Sequence, residues 1–168
     1  NGLCSIQADE LHSAEEGVTS LAQCCMAAYG NPRFLERAME NARGGYWITG
    51  INKAGHRHFK STYFSGCKMA AELPWGTQDA LSSLVICPSW YVARFNRNEK
   101  VMQLLEELAQ GLKAHYNPVE KILYSHIRYE DDYAEKVYAD NRQRGDLFLM
   151  YPAYRLTGNS SYYDVLQD

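Results

Sequence analysis

Three times along the chain an apolar segment ends in a tight turn, an asparagine follows, and an amphipathic helix begins: AAYG-NPRFLERA, ARFNR-NEKVMQLL and YRLTG-NSSYYDVL. Asn31, Asn98 and Asn159 suit these joints because an asparagine oxygen accepts a first-turn N–H that has no partner within the helix. Pro32 follows Asn31 at the first helical position, where the missing N–H costs nothing, and Gly30 closes the segment before it. A chain punctuated in this way is committed to pairs of helices joined by short turns.

Helical spacing of apolar residues extends the reading to most of the chain. SAEEGVTSLAQCCMAAYG and NPRFLERAMENAR read as helices, and NEKVMQLLEELAQGLKAHY as an amphipathic helix capped by Asn98. TQDALSSLVICPSWYVARF and DLFLMYPAYRLTG read as buried helices carrying internal prolines, Pro88 and Pro152, and NSSYYDVLQD opens one more. The connections back from outer to inner helices are long, from about Tyr46 to Gly76 and from about Asn117 to Gly145. The predicted fold is therefore all-α: tandem αα-hairpins forming part of an (α/α) toroid, with short turns on one rim and long loops on the other. Too few hairpins are present to close a ring. Residues 1–168 are accordingly expected to be a partial toroid catalytic domain within a larger chain.

Composition narrows the class of partner. A net charge of −3 offers no basic field for a nucleic acid, and no apolar run is long enough to span a bilayer as a helix. The five cysteines form no C-x-x-C pair, which leaves them as small hydrophobes or, in a secreted protein, one disulfide. Thirteen tyrosines, three tryptophans and five phenylalanines, many beside Gly, Asn, Arg or His, fit a sugar-binding cleft, where flat rings stack on sugar faces.

Chemistry concentrates in the two long connections. In AGHRHFKSTYFSG an extended backbone puts His56, His58 and Lys60 on one side and Arg57 and Phe59 on the other. A His-x-His pair of this kind ligates zinc when a third donor arrives from elsewhere, His126 or Asp131 being the candidates. It also serves simply to satisfy loop carbonyls. The favoured reading is proton transfer on an anionic or hydroxylated substrate, with Arg57 and Lys60 binding charge and His or Tyr moving protons. The second connection holds SHIRYEDDY, in which His126 and Arg128 share a side and Asp131 and Asp132 suit a helix N-terminus. Glu72 or Asp79 with Glu130 or Asp131 would supply paired carboxylates for glycoside hydrolysis. Trp75 in PWGTQ reads equally as a sugar-stacking platform or as a hydrophobic plug below the loop, whereas His12 and His115 read as ordinary surface histidines.

The joints AAYGNPRFLERAMENAR and YRLTGNSSYYDVL resemble those of helical-toroid carbohydrate-active enzymes. GHRHFKSTYFSG followed by PWG is similar to the exo-rhamnogalacturonan lyase family, in its central catalytic segment only. The resemblance implies a secreted or periplasmic lyase that cleaves a uronic-acid-containing, rhamnogalacturonan- or pectin-like polysaccharide by β-elimination, within a polypeptide carrying flanking β-rich domains. Residue type and loop position, rather than an alignment with that family, make His56, His58 and Tyr63 the catalytic candidates and Arg57, Lys60, Trp75, His126, Arg128 and Tyr129 the substrate-binding ones. No metal ligand is assigned, and whether calcium helps to bind the uronate is left open by the sequence. A toroid glycoside hydrolase and a non-catalytic helical-repeat scaffold are the rival readings.

Overall fold

The segment after Asn98 folds as its periodicity dictates. Helix α1 spans Glu99–Lys113, and the Asn98 side chain accepts a hydrogen bond from Val101 N at 3.2 Å. Glu99 in the first turn and Lys113 in the last complement the helix dipole. Its buried stripe of Val101, Leu104, Leu105, Leu108, Ala109 and Leu112 forms the centre of the hydrophobic core. In this computed structural model the described residues are 49–60, 97–124, 126–135 and 149–167, with 30, 32, 33, 36, 46, 64, 65, 68, 69, 77, 78, 93 and 94. Expectations for His12, Asn31, Tyr63, Glu72, Trp75, Asp79, Pro88 and the cysteines fall outside these residues.

The last joint is also built as its residues require. Helix α2, Tyr151–Thr157, ends at Gly158, whose φ of 73° lets its N–H donate to Tyr154 O at 2.8 Å. Asn159 then accepts from Ser161 N at 3.0 Å to open helix α3, Ser160–Gln167. Pro152 stands in the first turn of α2, directly after a π-helical turn at Leu149 and Met150, and the start of the expected buried helix, residues 146–148, falls outside the described residues. Helices α2 and α3 pack on each other and on α1, burying Ala153, Tyr162 and Val165.

The all-α expectation is overturned by what lies between the helices. Strands β1 (Thr49–Ile51) and β2 (Arg57–Phe59) form an antiparallel hairpin with Gly50 opposite His58. Strands β3 (Phe64–Ser65) and β4 (Lys68–Met69) form a second antiparallel pair. Strand β5 (Thr77–Gln78) pairs with β8 (His126–Ile127), which pairs in turn with β9 (Ala134–Glu135). Strands β6 (Tyr116–Asn117) and β7 (Ile122–Leu123) make another hairpin directly after α1. The described parts of the long connections thus hold short antiparallel strand pairs, and β5 occupies the first two residues of TQDALSSL, where a helix is expected.

The physical reason lies in the turns as much as in the strands. Short alternating segments such as TGI, RHF and HI gain cross-strand hydrogen bonds once a turn reverses them, and turn residues are plentiful here. Gly55, at φ 87°, helps reverse the chain between β1 and β2. Asn117 accepts from Val119 N and Glu120 N at 3.0 and 3.2 Å between β6 and β7. Between β8 and β9 the Arg128 carbonyl accepts from Asp132 N at 2.9 Å, with Asp132 itself in the left-handed region at φ 61°.

Helix α1 lies directly against β2, and Gly111 makes that approach possible. A Cβ at this position would stand 2.5 Å from the Arg57 carbonyl oxygen and 3.2 Å from His58 Cε1. Both sides of β2 are consequently covered: Phe59 joins the hydrophobic core, and His58 is fully buried.

Candidate metal centre

Three segments bring their polar side chains to one point. His58 projects from β2, and His56 precedes it on the same side, as the alternation predicts. His115 lies two residues past the end of α1, where its N–H donates to Leu112 O at 3.0 Å and continues the helical turn. Asp132 comes from the β8–β9 turn. Its carboxylate oxygens lie 2.8 Å from His56 Nδ1, 3.2 Å from His58 Nε2 and 3.4 Å from His115 Nε2. The imidazole centroids are 5.4 to 6.1 Å apart, and one donor atom from each of the four residues falls within 4.8 Å of all the others.

Burial and charge act together on this group. Burial lowers the pKa of His115, with the positive charge of a protonated His58 or His56 adding to it, against the opposing pull of Asp132. His115 is therefore neutral at neutral pH, the form that offers a lone pair. For Asp132 burial raises the pKa. Hydrogen bonds from Asn52 and His56, and the positive charge of His115 and His56 where these are protonated at acid pH, outweigh that effect and hold the carboxyl below its ordinary value. His115 Nε2 is buried and makes no well-formed hydrogen bond, its nearest contact being Asp132 Oδ2 at 3.4 Å. A buried nitrogen in that state is a cost the fold carries unless something else occupies the centre of the cluster.

A divalent transition ion fits. In a tetrahedral zinc site with bonds of about 2.0–2.1 Å the donors lie about 3.3 Å apart; His115 stands 3.4 Å and His56 2.8 Å from Asp132 Oδ2, His58 stands 3.2 Å from Oδ1, and the whole set spans up to 4.8 Å. Three imidazoles and one carboxylate are borderline-soft donors suited to zinc and its neighbours. Calcium takes six to eight oxygens, roughly, and is poorly served by three ring nitrogens. The third and fourth donors are not those the sequence suggests. His115 is not a surface histidine, its side chain being 10% exposed, and Asp132 does not open a helix. Asp131 is turned outward to Arg128, and His126 lies in β8 opposite Gln78 and Glu135. The one available signal is that a His-x-His pair requires further donors; His115 stands between α1 and β6, and Asp132 within the β8–β9 turn.

The remaining predicted residues divide between two roles. Arg57 is engaged with the protein: its Nε donates to Glu107 at 2.6 Å, its guanidinium to Thr49 Oγ1 at 3.0 Å, and it lies over the Tyr46 ring. Arg128 donates to Asp131 at 2.7 Å and stacks on Tyr133. Lys60 and Tyr129, by contrast, come together: Lys60 Cε and the Tyr129 hydroxyl each lie 2.6 Å from where a Cβ on Gly50 would stand. Tyr129 donates to Ile51 O at 3.1 Å and, with Ile51, Asn52, Lys53 and Glu130, lines an open cavity of about 570 Å³. The two walls of this cavity are the segments that carry His56 and Asp132.

The chain matches no protein-family model, no curated protein and no solved structure.

Proposed function

We propose that His56, His58, His115 and Asp132 form a zinc-class metal centre. The observation that carries the reading is the convergence of four donors, one of them the buried His115 Nε2 that makes no well-formed hydrogen bond. Four protein donors complete a tetrahedral shell and leave no open position for water or substrate. The ion therefore acts as a staple, fastening the β1–β2 hairpin, the end of α1 and the β8–β9 turn to one another. Purified protein exchanged into metal-free buffer and titrated with zinc alone tests this. One equivalent bound, released by a chelator and absent from His115→Ala, is the expected result. Wild-type protein that takes up no zinc sinks the proposal.

A second reading is favoured by the cavity beside the cluster. There Lys53 and Tyr129 share one cleft, and Lys60 approaches the same hydroxyl. This is the residue chemistry of β-elimination on a uronic-acid-containing polysaccharide. Cations neutralise the carboxylate, which acidifies the neighbouring C–H, and a hydroxyl relays protons to and from the sugar. Histidines held as metal ligands do not also shuttle protons, so Tyr129 takes the role first given to His56 and His58. The zinc-loaded chain incubated with rhamnogalacturonan should develop the ultraviolet absorbance of an unsaturated uronate, and Tyr129→Phe should suppress it. Chain cleavage without that absorbance would instead indicate hydrolysis.

A further inference from the structure

We infer that Asn52 is the positioning residue that fixes how Asp132 binds the ion, an inference that rests on the metal centre proposed above. Asn52 touches no reacting atom, yet it makes five hydrogen bonds. Its backbone N–H donates to His56 O at 2.8 Å, and its carbonyl accepts from Gly55 N at 3.1 Å. Its side-chain Oδ1 accepts from Ala54 N and His56 N, both at 3.0 Å, which shapes the turn that delivers His56. Its Nδ2 reaches across to Asp132 and donates to Oδ1 at 2.5 Å.

This last bond breaks the symmetry of the carboxylate. Oδ1 accepts from the amide and stands 3.2 Å from His58 Nε2, whereas Oδ2, which the amide leaves alone, faces His56 Nδ1 and His115 Nε2. Asp132 then offers the ion one oxygen rather than two. With three imidazoles the count is four, and the site selects ions content with tetrahedral coordination over those that demand more ligands. A single side chain thereby sets the backbone of one ligand and the denticity of another. Groups that orient metal ligands typically change affinity by about 10–100-fold when removed.

Cobalt(II) reports coordination number, because its visible absorption is intense in tetrahedral sites and weak in higher ones. Wild-type protein loaded with cobalt alone should show the intense spectrum. Asn52→Ala should bind zinc about 10–100-fold more weakly and show the weak, higher-coordinate cobalt spectrum. Asn52→Ser retains an oxygen for the turn but is too short to reach Asp132, so it should fold normally and show the same spectral change. An intense, unshifted cobalt spectrum in Asn52→Ser would overturn the inference, as would two carboxylate oxygens on zinc in the wild type by X-ray absorption. Failure of the wild type to bind either ion would instead remove the metal centre itself.

Discussion

Leu104, Leu108 and Leu112 lie along one side of a single helix, whereas His56, His58, His115 and Asp132 arrive from a hairpin, a helix end and a turn far apart in sequence. The leucines need only a helix and a surface to face. Each buries its apolar area independently, and the loss of one leaves the others in place. The polar cluster is different in kind, because no member is satisfied until all have arrived. Even then Asp132 provides one carboxylate for three imidazoles. Such a group is stable only as a completed network, and an ion at its centre completes it. The two regions nevertheless meet across Gly111, where α1 touches β2.

The sharpest way to separate the regions is to remove a ligand. His115→Ala should reduce zinc uptake from one equivalent to background, measured by elemental analysis after dialysis. At zinc about a hundredfold above its Kd the wild type gains about 2.7 kcal/mol from the ion, and the variant should gain none. A chelator should then lower the melting temperature of the wild type and leave that of the variant unmoved. Equal chelator sensitivity in both proteins would break the comparison.

Leu108→Ala is the converse test. Its side chain is 1% exposed at the centre of the core, and truncation should cost about 2–5 kcal/mol in denaturant unfolding. The loss should be the same with and without chelator, and the folded variant should bind zinc as the wild type does. Zinc affinity that falls in step with stability would show that core and cluster are one cooperative unit.

Gly111→Ala probes the contact between them. The added methyl meets the Arg57 carbonyl and the His58 ring, so it should cost about 1–3 kcal/mol and also weaken zinc binding by displacing β2. A variant that loses stability but keeps full zinc affinity would show that His58 follows the metal rather than the helix. The smallest effect belongs to Asn98→Ala, which removes the cap of α1 and should cost about 1 kcal/mol without altering metal binding. Any change in zinc affinity there would extend the coupling along the whole helix.

How far the chain could be read in advance follows the same division. The capped helix after Asn98, the Gly158–Asn159 joint and the helix it opens were all legible, because caps and periodicity act within a few residues. The pairing of His56 with His58 on one side was legible too, since alternation is a local rule. The hairpins in the long connections were not. Strands of two or three residues carry too little pattern to outweigh helical neighbours, and β5 and β8 find each other across the whole of α1 and the β6–β7 hairpin.

The sequence by itself determined the helices, their caps and a histidine pair in search of further ligands, because each of these depends on neighbours along the chain. Only the tertiary structure decided that His115 and Asp132, rather than His126 or Asp131, stand beside that pair. His115 is placed by the last turn of α1 against β2, and Asp132 by a left-handed backbone in a turn whose strands are held by a distant partner. Those positions depend on how three segments pack, and packing is a property of pairs of surfaces that no single stretch of residues contains.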